Sequence, residues 1–233
     1  MQIIKKGYYV LRMGDPLMRP INIHDNFIDY VHTPQYSNLL DLYIYRHCSF
    51  WIGSPGGARC AAVFYKIPSV VVNVTALAMP ISSVCLNRED VIIFKHIFSV
   101  CECRLLSLKE QLQRVREIVA DINSKSGNYV LIENSPEEIS QAFLEWHEDR
   151  TTQSFDWNSC LQEEYHDLRQ RSCRDAYFNF NKNEWDETYI EQFYHLRPRL
   201  GKQFLENCFE YGEYLSRLTQ QYKKIRECYV NEV

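Results

Sequence analysis

The sequence has no surplus of positive charge and no long apolar run. It holds 26 Lys and Arg residues against 30 Asp and Glu residues, a formal net charge of −4. Proteins that bind the nucleic-acid backbone carry strongly basic surfaces, so we expect no nucleic-acid partner. No apolar run approaches the roughly 18 residues that a membrane-spanning helix needs. The N-terminal residues also lack the apolar segment of a secretory signal. These absences predict a cytoplasmic protein with no membrane span.

Several motifs of metal and nucleotide chemistry are also missing. The nine cysteines are odd in number and scattered, and Cys101 and Cys103 are the only close pair. This spacing favours reduced thiols over a disulfide framework and predicts no metal site. The chain has neither the Gly-Lys-Ser/Thr ending of a Walker A loop nor a Gly-x-Gly-x-x-Gly fingerprint.

What the sequence does contain is an alternation of short apolar strands and amphipathic helices. Runs rich in β-branched and aromatic residues favour strands, and apolar residues at helical spacing favour helices. The predicted strands lie at residues 7–13, 26–30, 49–53 and 69–74, with helices at residues 37–47 and 58–65. This order predicts an α/β fold with a Rossmann-like parallel sheet and helices on both faces.

The second half of the chain changes in character. Capping boxes at Ser107 and Ser135 predict two further helices, with a strand at residues 129–133 between them. Beyond the second helix no convincing strand is found, and helices are expected near residues 156–172, 184–195 and 198–227. We therefore divide the chain into an α/β domain at residues 1–150 and a helical C-terminal extension at residues 151–233.

A glycine-rich loop, Gly53-Ser54-Pro55-Gly56-Gly57, joins a predicted strand to a helix. Backbone N–H groups at such a helix start favour an anionic ligand such as a diphosphate. We expect Gly53, Ser54, Gly56 and Gly57 to bind this ligand, with the Ser54 hydroxyl and the amides of Gly56 and Gly57 as hydrogen-bond donors. The alternative is a tight turn that simply needs glycine. Arg59 either reaches the same phosphate or lies solvated on the helix face.

Three further residues are expected near the carboxyl ends of strands, where open α/β sheets bind their ligands. Arg12 follows the first strand, and its guanidinium would hold a diphosphate in a bidentate manner. The alternative is an ion pair with Asp15 that shapes the turn. Asn73 would contact a base or a sugar. Lys95 is either a further phosphate cation or a surface lysine.

Two residues are candidates for acid–base catalysis. His32 follows a predicted strand and has a side chain suited to proton transfer near neutral pH. Asp15 would position Arg12, bind a sugar hydroxyl or act as a base. The alternatives are an incidental loop histidine and an aspartate that forms a turn before Pro16.

Three blocks, at residues 7–16, 26–32 and 48–57, keep a characteristic order and spacing, with Arg-Met-Gly-Asp-Pro in the first and Gly-Ser-Pro-Gly-Gly in the third. Together they resemble a family of bacterial glycosyltransferases associated with surface polysaccharide assembly. A weaker likeness continues to about residue 210. The resemblance implies a GT-B-like fold, of which this chain is similar to the C-terminal half that holds the donor.

The resemblance also implies a function. It indicates a glycosyltransferase module that binds a nucleotide-diphosphate sugar and transfers the sugar to a hydroxyl of a glycan or lipid-linked acceptor. The resemblance implies no cofactor besides the donor sugar nucleotide and no metal ion. Arginine and amide dipoles would take the place of the divalent cation of metal-dependent transferases, whose Asp-x-Asp motif is missing from the sequence. Three sources of the acceptor half stay open: it is a separate N-terminal GT-B chain, it is missing because this sequence is a fragment or remnant, or the helical tail takes its place. The alternative is a non-catalytic nucleotide- or sugar-binding subunit, or a truncated remnant.

Overall fold

The computed structural model describes residues 2–75, 89–154, 159–176, 178–179, 184–185 and 199–230. In its first part, helices and strands alternate, with a 3₁₀ helix at Tyr30–His32. The elements are α1 (Gln2–Lys5), β1 (Val10–Leu11), β2 (Phe27–Ile28), α2 (Asn38–His47), β3 (Trp51–Gly53), α3 (Gly57–Phe64) and β4 (Ser69–Val74).

Seven further strands and six further helices follow within the described residues. The strands are β5 (Val91–Phe94), β6 (His96–Ser99), β7 (Arg104–Leu105), β8 (Tyr129–Ile132), β9 (Phe178–Asn179), β10 (Glu184–Trp185) and β11 (Arg199–Leu200). The helices are α4 (Leu108–Gln113), α5 (Val115–Ser124), α6 (Pro136–Thr152), α7 (Cys160–Ala176), α8 (Lys202–Cys208) and α9 (Glu213–Val230). None of these described helices has the length and apolarity needed to cross a bilayer.

A four-stranded parallel sheet in the order β11-β5-β4-β3 lies at the centre. Its two inner strands are runs of β-branched and aromatic residues, and Val70, Val91 and Phe94 are completely buried. Strands buried on both faces by flanking helices require such continuous apolar runs. The predicted α/β fold with a parallel sheet is thereby confirmed.

Three features of the sheet differ from the prediction. Strands β1 and β2 pair with each other in parallel and form a separate two-stranded sheet. Strands β6, β7 and β8 form an antiparallel sheet, so the parallel pattern does not continue along the chain. Strand β11 lies beyond residue 151, where no strand was expected, and it pairs with β5 at the sheet edge. Two-residue strands such as β11 are too short to leave a periodic signal.

The helices are closer to the prediction. Both capping boxes form, and Ser107 and Ser135 each accept a hydrogen bond from the amide three residues on. The single helix predicted after Ser107 is divided at Arg114 into α4 and α5. The helix expected at residues 184–195 is not found at its start, because residues 184 and 185 form strand β10. The rest of that range, from residue 186, lies outside the described residues.

Both proposed segments share one hydrophobic core. The apolar side chains of β4, β5 and α6 form its centre, and the tail contributes Tyr165, Leu205, Phe209 and Leu215, each buried to about 1% exposure or less. A smaller cluster under α2 and α3 contains Tyr45, Ala62 and Ile67. The C-terminal segment therefore helps to bury the sheet that carries the glycine-rich loop.

Candidate functional site

The glycine-rich loop leaves β3 at its carboxyl end and enters α3 at Gly57. Gly53 is required by sterics, because a Cβ atom at this position would lie 2.6 Å from a ring atom of Trp51. Residues 54–58 are exposed. The chain thus places an exposed turn at the edge of the sheet where α/β proteins bind ligands.

The start of α3 has unsatisfied backbone donors. Gly56 is the N-cap residue and has no side chain with which to cap the helix. Within the described ranges, the amides of Gly57 and Ala58 have no hydrogen-bond acceptor. Unpaired N–H groups at a helix N-terminus carry partial positive charge and suit an anion. A Cβ atom at Gly57 would meet nothing within 4 Å, so the space in front of the helix is open.

Three predicted binding residues follow three adjacent strands of the parallel sheet. Ser54 follows β3, Asn73 lies near the end of β4, and Lys95 follows β5. Nδ2 of Asn73 donates to Oγ of Ser54 at 3.5 Å, which links two of them directly. Nζ of Lys95 lies 3.5 Å from a carboxylate oxygen of the exposed Glu133. The carboxyl edge of the sheet therefore carries a hydroxyl, an amide and a cation on three neighbouring strands, and the hydroxyl lies next to the open start of α3.

Asn134 belongs to this edge and was missed by the sequence analysis. It is 6% exposed and bonds Asn73 directly through both backbone and side chain. Asn73 has a positive φ of 56°, in the left-handed region that asparagine tolerates better than most residues. Asn134 stands directly before the capping box at Ser135, and this position was the only signal in the sequence. The capping box does not indicate that Asn134 bonds Asn73, 61 residues away.

Arg12 lies in a different cluster, at the end of β1. Its Nη1 lies 3.1 Å from both carboxylate oxygens of Asp29 and donates to the carbonyl oxygen of Arg19 at 2.9 Å. Its Nε and Nη2 make no hydrogen bond within the described residues. Two guanidinium donors are thus still available for an anion. The alternative expectation of an Arg12–Asp15 ion pair is wrong, because Asp29 takes that place.

Asp29 joins Arg12 to His32. Nδ1 of His32 lies 2.9 Å from Oδ2 of Asp29, while the amide of Ile21 donates to the same oxygen at 2.8 Å. Burial raises the pKa of Asp29, but these bonds and the charge of Arg12 outweigh it and hold the pKa below its usual value. Asp29 was missed, although its position directly after the apolar pair of β2 was a usable signal.

Asp15 occupies a turn and does not contact the other candidates. Its Oδ1 accepts a hydrogen bond from the amide of Leu17 at 2.8 Å, and its carbonyl accepts one from Met18. This is an Asx-turn arrangement, which stabilises the turn after Gly14. The geometry favours the turn role over the role of a base.

The prediction that Arg59 binds phosphate is wrong. Its side chain is 1% exposed, and its guanidinium bonds Ser69 and forms a 2.9 Å ion pair with Asp90. These partners lie at the amino ends of β4 and β5, at the opposite edge of the sheet from the loop. The expectation of a solvated helix-face arginine is wrong for the same reason. The small residues of α3 leave space beneath the helix that the long side chain fills.

The candidates thus form two groups. Ser54, Asn73 and Lys95 lie at the carboxyl edge of the parallel sheet, after β3, β4 and β5, whereas Arg12 and His32 meet at Asp29. No hydrogen bond or ion pair within the described ranges joins Arg12 to residues 53–57. The expected convergence of the guanidinium and the loop on one diphosphate therefore stays a prediction.

Comparison of the chain with protein-family models, with curated proteins and with solved structures gave no match.

Proposed function

We propose that this chain is the donor-binding module of a metal-independent glycosyltransferase and that the start of α3 binds the diphosphate of a nucleotide sugar. The observation that carries the proposal is the pair of unpaired amides at Gly57 and Ala58, exposed at the carboxyl edge of a parallel sheet. Phosphate oxygens are good acceptors for such amides. The resemblance of residues 7–16, 26–32 and 48–57 to bacterial glycosyltransferases adds the sugar to this proposal.

The neighbouring side chains support a ligand larger than phosphate. Ser54 offers a hydroxyl beside the amides, and Lys95 offers a positive charge two strands further along, after β5. Asn73 presents an amide to the same edge, where it would contact the sugar or the base. A diphosphate bound there would be neutralised by amide dipoles and a lysine without a divalent ion.

His32 supplies the base in this proposal. Asp29 holds Nδ1 of the imidazole, which leaves Nε2 without a partner among the described residues. A carboxylate that accepts from Nδ1 fixes the tautomer and the orientation of the ring, so that Nε2 is the acceptor nitrogen. In the transfer step, the acceptor oxygen bonds to the anomeric carbon and its proton passes to Nε2. The bond from that carbon to the diphosphate breaks, and the electron pair leaves with the nucleoside diphosphate.

Two substitutions at one position test the phosphate site. Gly57 is the first residue of α3, where proline is well tolerated but removes the N–H group. Gly57→Ala keeps that donor and meets open space. We expect Gly57→Pro to weaken nucleoside diphosphate binding about 10- to 100-fold in calorimetry, the value of one hydrogen bond to a charged group. Gly57→Ala should bind like the unmodified chain, and equal affinity of the two variants would contradict the proposal.

A turnover assay separates the enzyme from a binding subunit. The purified chain is incubated with each nucleotide sugar that binds, and release of the nucleoside diphosphate is followed. Release that is lost in His32→Gln supports the transferase. Binding without release supports the alternative of a non-catalytic subunit, which the internal pairing of Arg12, Asp29 and His32 also suits.

A further inference from the structure

Three side chains with metal-binding atoms meet in the interior, beyond the sheet edge that carries the glycine-rich loop. His96 begins β6, Glu138 lies in the first turn of α6, and Cys208 ends α8. Their ligand atoms all lie within 4.8 Å of one another. Nε2 of His96 is 2.8 Å from Oε1 of Glu138. Residues distant in sequence thus bring a nitrogen, an oxygen and a sulfur to one point.

All three groups are removed from solvent. His96 is 1% exposed and Cys208 is 3% exposed, and the side chain of Glu138 is 8% exposed. A buried carboxylate is costly unless it has compensating partners. Glu138 has such a partner in the capping box, where its Oε2 accepts a hydrogen bond from the amide of Ser135 at 2.8 Å. The cap fixes the carboxylate, so its other oxygen is held toward His96.

The cluster adjoins a pocket of about 210 Å³. Glu138 lines this pocket together with Tyr214, Phe204 and Gly201. One oxygen of the carboxylate therefore faces His96 inside the protein, while the side chain also borders open space. This volume holds several water molecules. A ligand in the pocket would meet the cluster at Glu138, the member of the cluster that lines it.

We infer that His96, Glu138 and Cys208 bind a zinc-type divalent metal ion whose fourth position opens toward this pocket. Imidazole, carboxylate and thiolate are the ligands that zinc combines in proteins, whereas magnesium and calcium avoid sulfur. Thiolate and carboxylate together supply two negative charges, which balance the ion in a buried site. Three protein ligands with one open position are typical of catalytic rather than structural zinc.

The distances fit an ion after small movements of the side chains. Zinc bonds of about 2.0–2.3 Å place tetrahedral donors roughly 3.3–3.8 Å apart. Nε2 of His96 and Oε1 of Glu138, now 2.8 Å apart, would separate by about 0.5–1 Å around the ion. The ligand atoms all lie within 4.8 Å of one another, so any longer distance in the cluster would close by at most about 1.5 Å. The ion would take the place of the proton between His96 and Glu138. This inference is independent of the proposed function, since none of its ligands lies in the glycine-rich loop.

Metal analysis and a cobalt titration test the site directly. We expect the chain, purified from zinc-supplemented cells and dialysed, to retain one zinc per molecule. After chelation, added cobalt should produce a near-ultraviolet charge-transfer band, absent from the zinc form, that reports a thiolate ligand. Cys208→Ser should abolish that band and weaken metal retention about 100-fold or more, beyond the effect of losing an outer-shell partner. Cys101→Ser removes an exposed thiol and should change neither result.

A second variant distinguishes the loss of a metal ligand from the loss of the fold. Glu138→Gln preserves the capping box, because glutamine also serves at that position, but it removes the charge from the ligand set. It should keep the far-ultraviolet circular dichroism of the unmodified chain while metal retention falls. A folded chain that retains no zinc and gives no charge-transfer band with cobalt would overturn the inference. So would metal binding that survives Cys208→Ser.

Discussion

Asn73 and Asn134 bond each other reciprocally: the backbone N–H of each donates to the side-chain oxygen of the other, and both distances are 2.7 Å. Nδ2 of Asn134 also donates to the carbonyl oxygen of Phe94 at 2.7 Å. The pair thereby ties the end of β4, the end of β5 and the start of α6 together. Because Asn73 also reaches Ser54, this pair fixes the side chain that faces the proposed ligand.

Removing Asn134 should destabilise the protein. Asn134→Ala removes the side-chain acceptor of the part-buried Asn73 amide and the side-chain donor to the buried Phe94 carbonyl, and each unsatisfied group costs about 1–3 kcal/mol. We expect the free energy of unfolding to fall by about 2–4 kcal/mol, measured by urea denaturation. Asn38→Ala, at an exposed asparagine, is the matched control and should change stability by less than about 0.5 kcal/mol.

Lys95 is expected to act through its charge. Lys95→Met keeps most of the apolar stem and removes the ammonium group that lies near Glu133. If the side chain neutralises phosphate, nucleoside diphosphate affinity should fall about 10-fold, and the remaining affinity should depend less on salt. Lys125→Met, at an exposed lysine after α5, is the control. Unchanged affinity and salt dependence in Lys95→Met would remove this residue from the site.

The ion pair between Arg59 and Asp90 predicts a stability effect rather than a binding effect. Asp90→Ala leaves a guanidinium buried at 1% exposure without its carboxylate partner. Breaking a buried pair in this way costs about 3–5 kcal/mol, which urea denaturation would measure. Nucleoside diphosphate affinity should stay unchanged where the variant is folded. A stable variant with weakened binding would instead return Arg59 to the ligand site.

The parallel sheet and the helix starts could be predicted because their signals are local. The β-branched run at residues 69–74 and the capping boxes at Ser107 and Ser135 each specify one element without reference to the rest of the chain. Strand β11 carries no such signal. Two residues have no periodicity, and the strand exists only because the tail returns to the edge of β5.

The candidate site also has a part that the sequence predicts and a part that it does not. The glycine-rich loop was predictable because a turn between a strand and a helix needs particular residues in sequence. The partners of each side chain were not, since Asn134 and Asp29 meet their neighbours only through the fold. Arg59 was misassigned for the same reason. Its position in the predicted helix does not reveal that the fold brings the buried Asp90 within ion-pair distance of it.

Glu110 predicts how stability depends on acid pH. A hydrogen bond from Arg104, 2.6 Å away, lowers the pKa of Glu110 from 4.5 to about 2, against the opposing effect of burial. A carboxyl group whose pKa falls on folding stabilises the protein above its unfolded pKa, so this stability is lost as the pH falls from about 4.5 to about 2.

The expected loss is about 2 kcal/mol, since the side chain is 23% exposed and screening reduces the full effect. Urea denaturation at several pH values would measure it. Glu110→Gln preserves the capping box and should flatten this acid-dependent fall. Glu148→Gln, at an exposed carboxylate of α6, should follow the unmodified chain. If both variants lose stability in parallel with the unmodified protein, the Arg104 pairing does not govern its acid response.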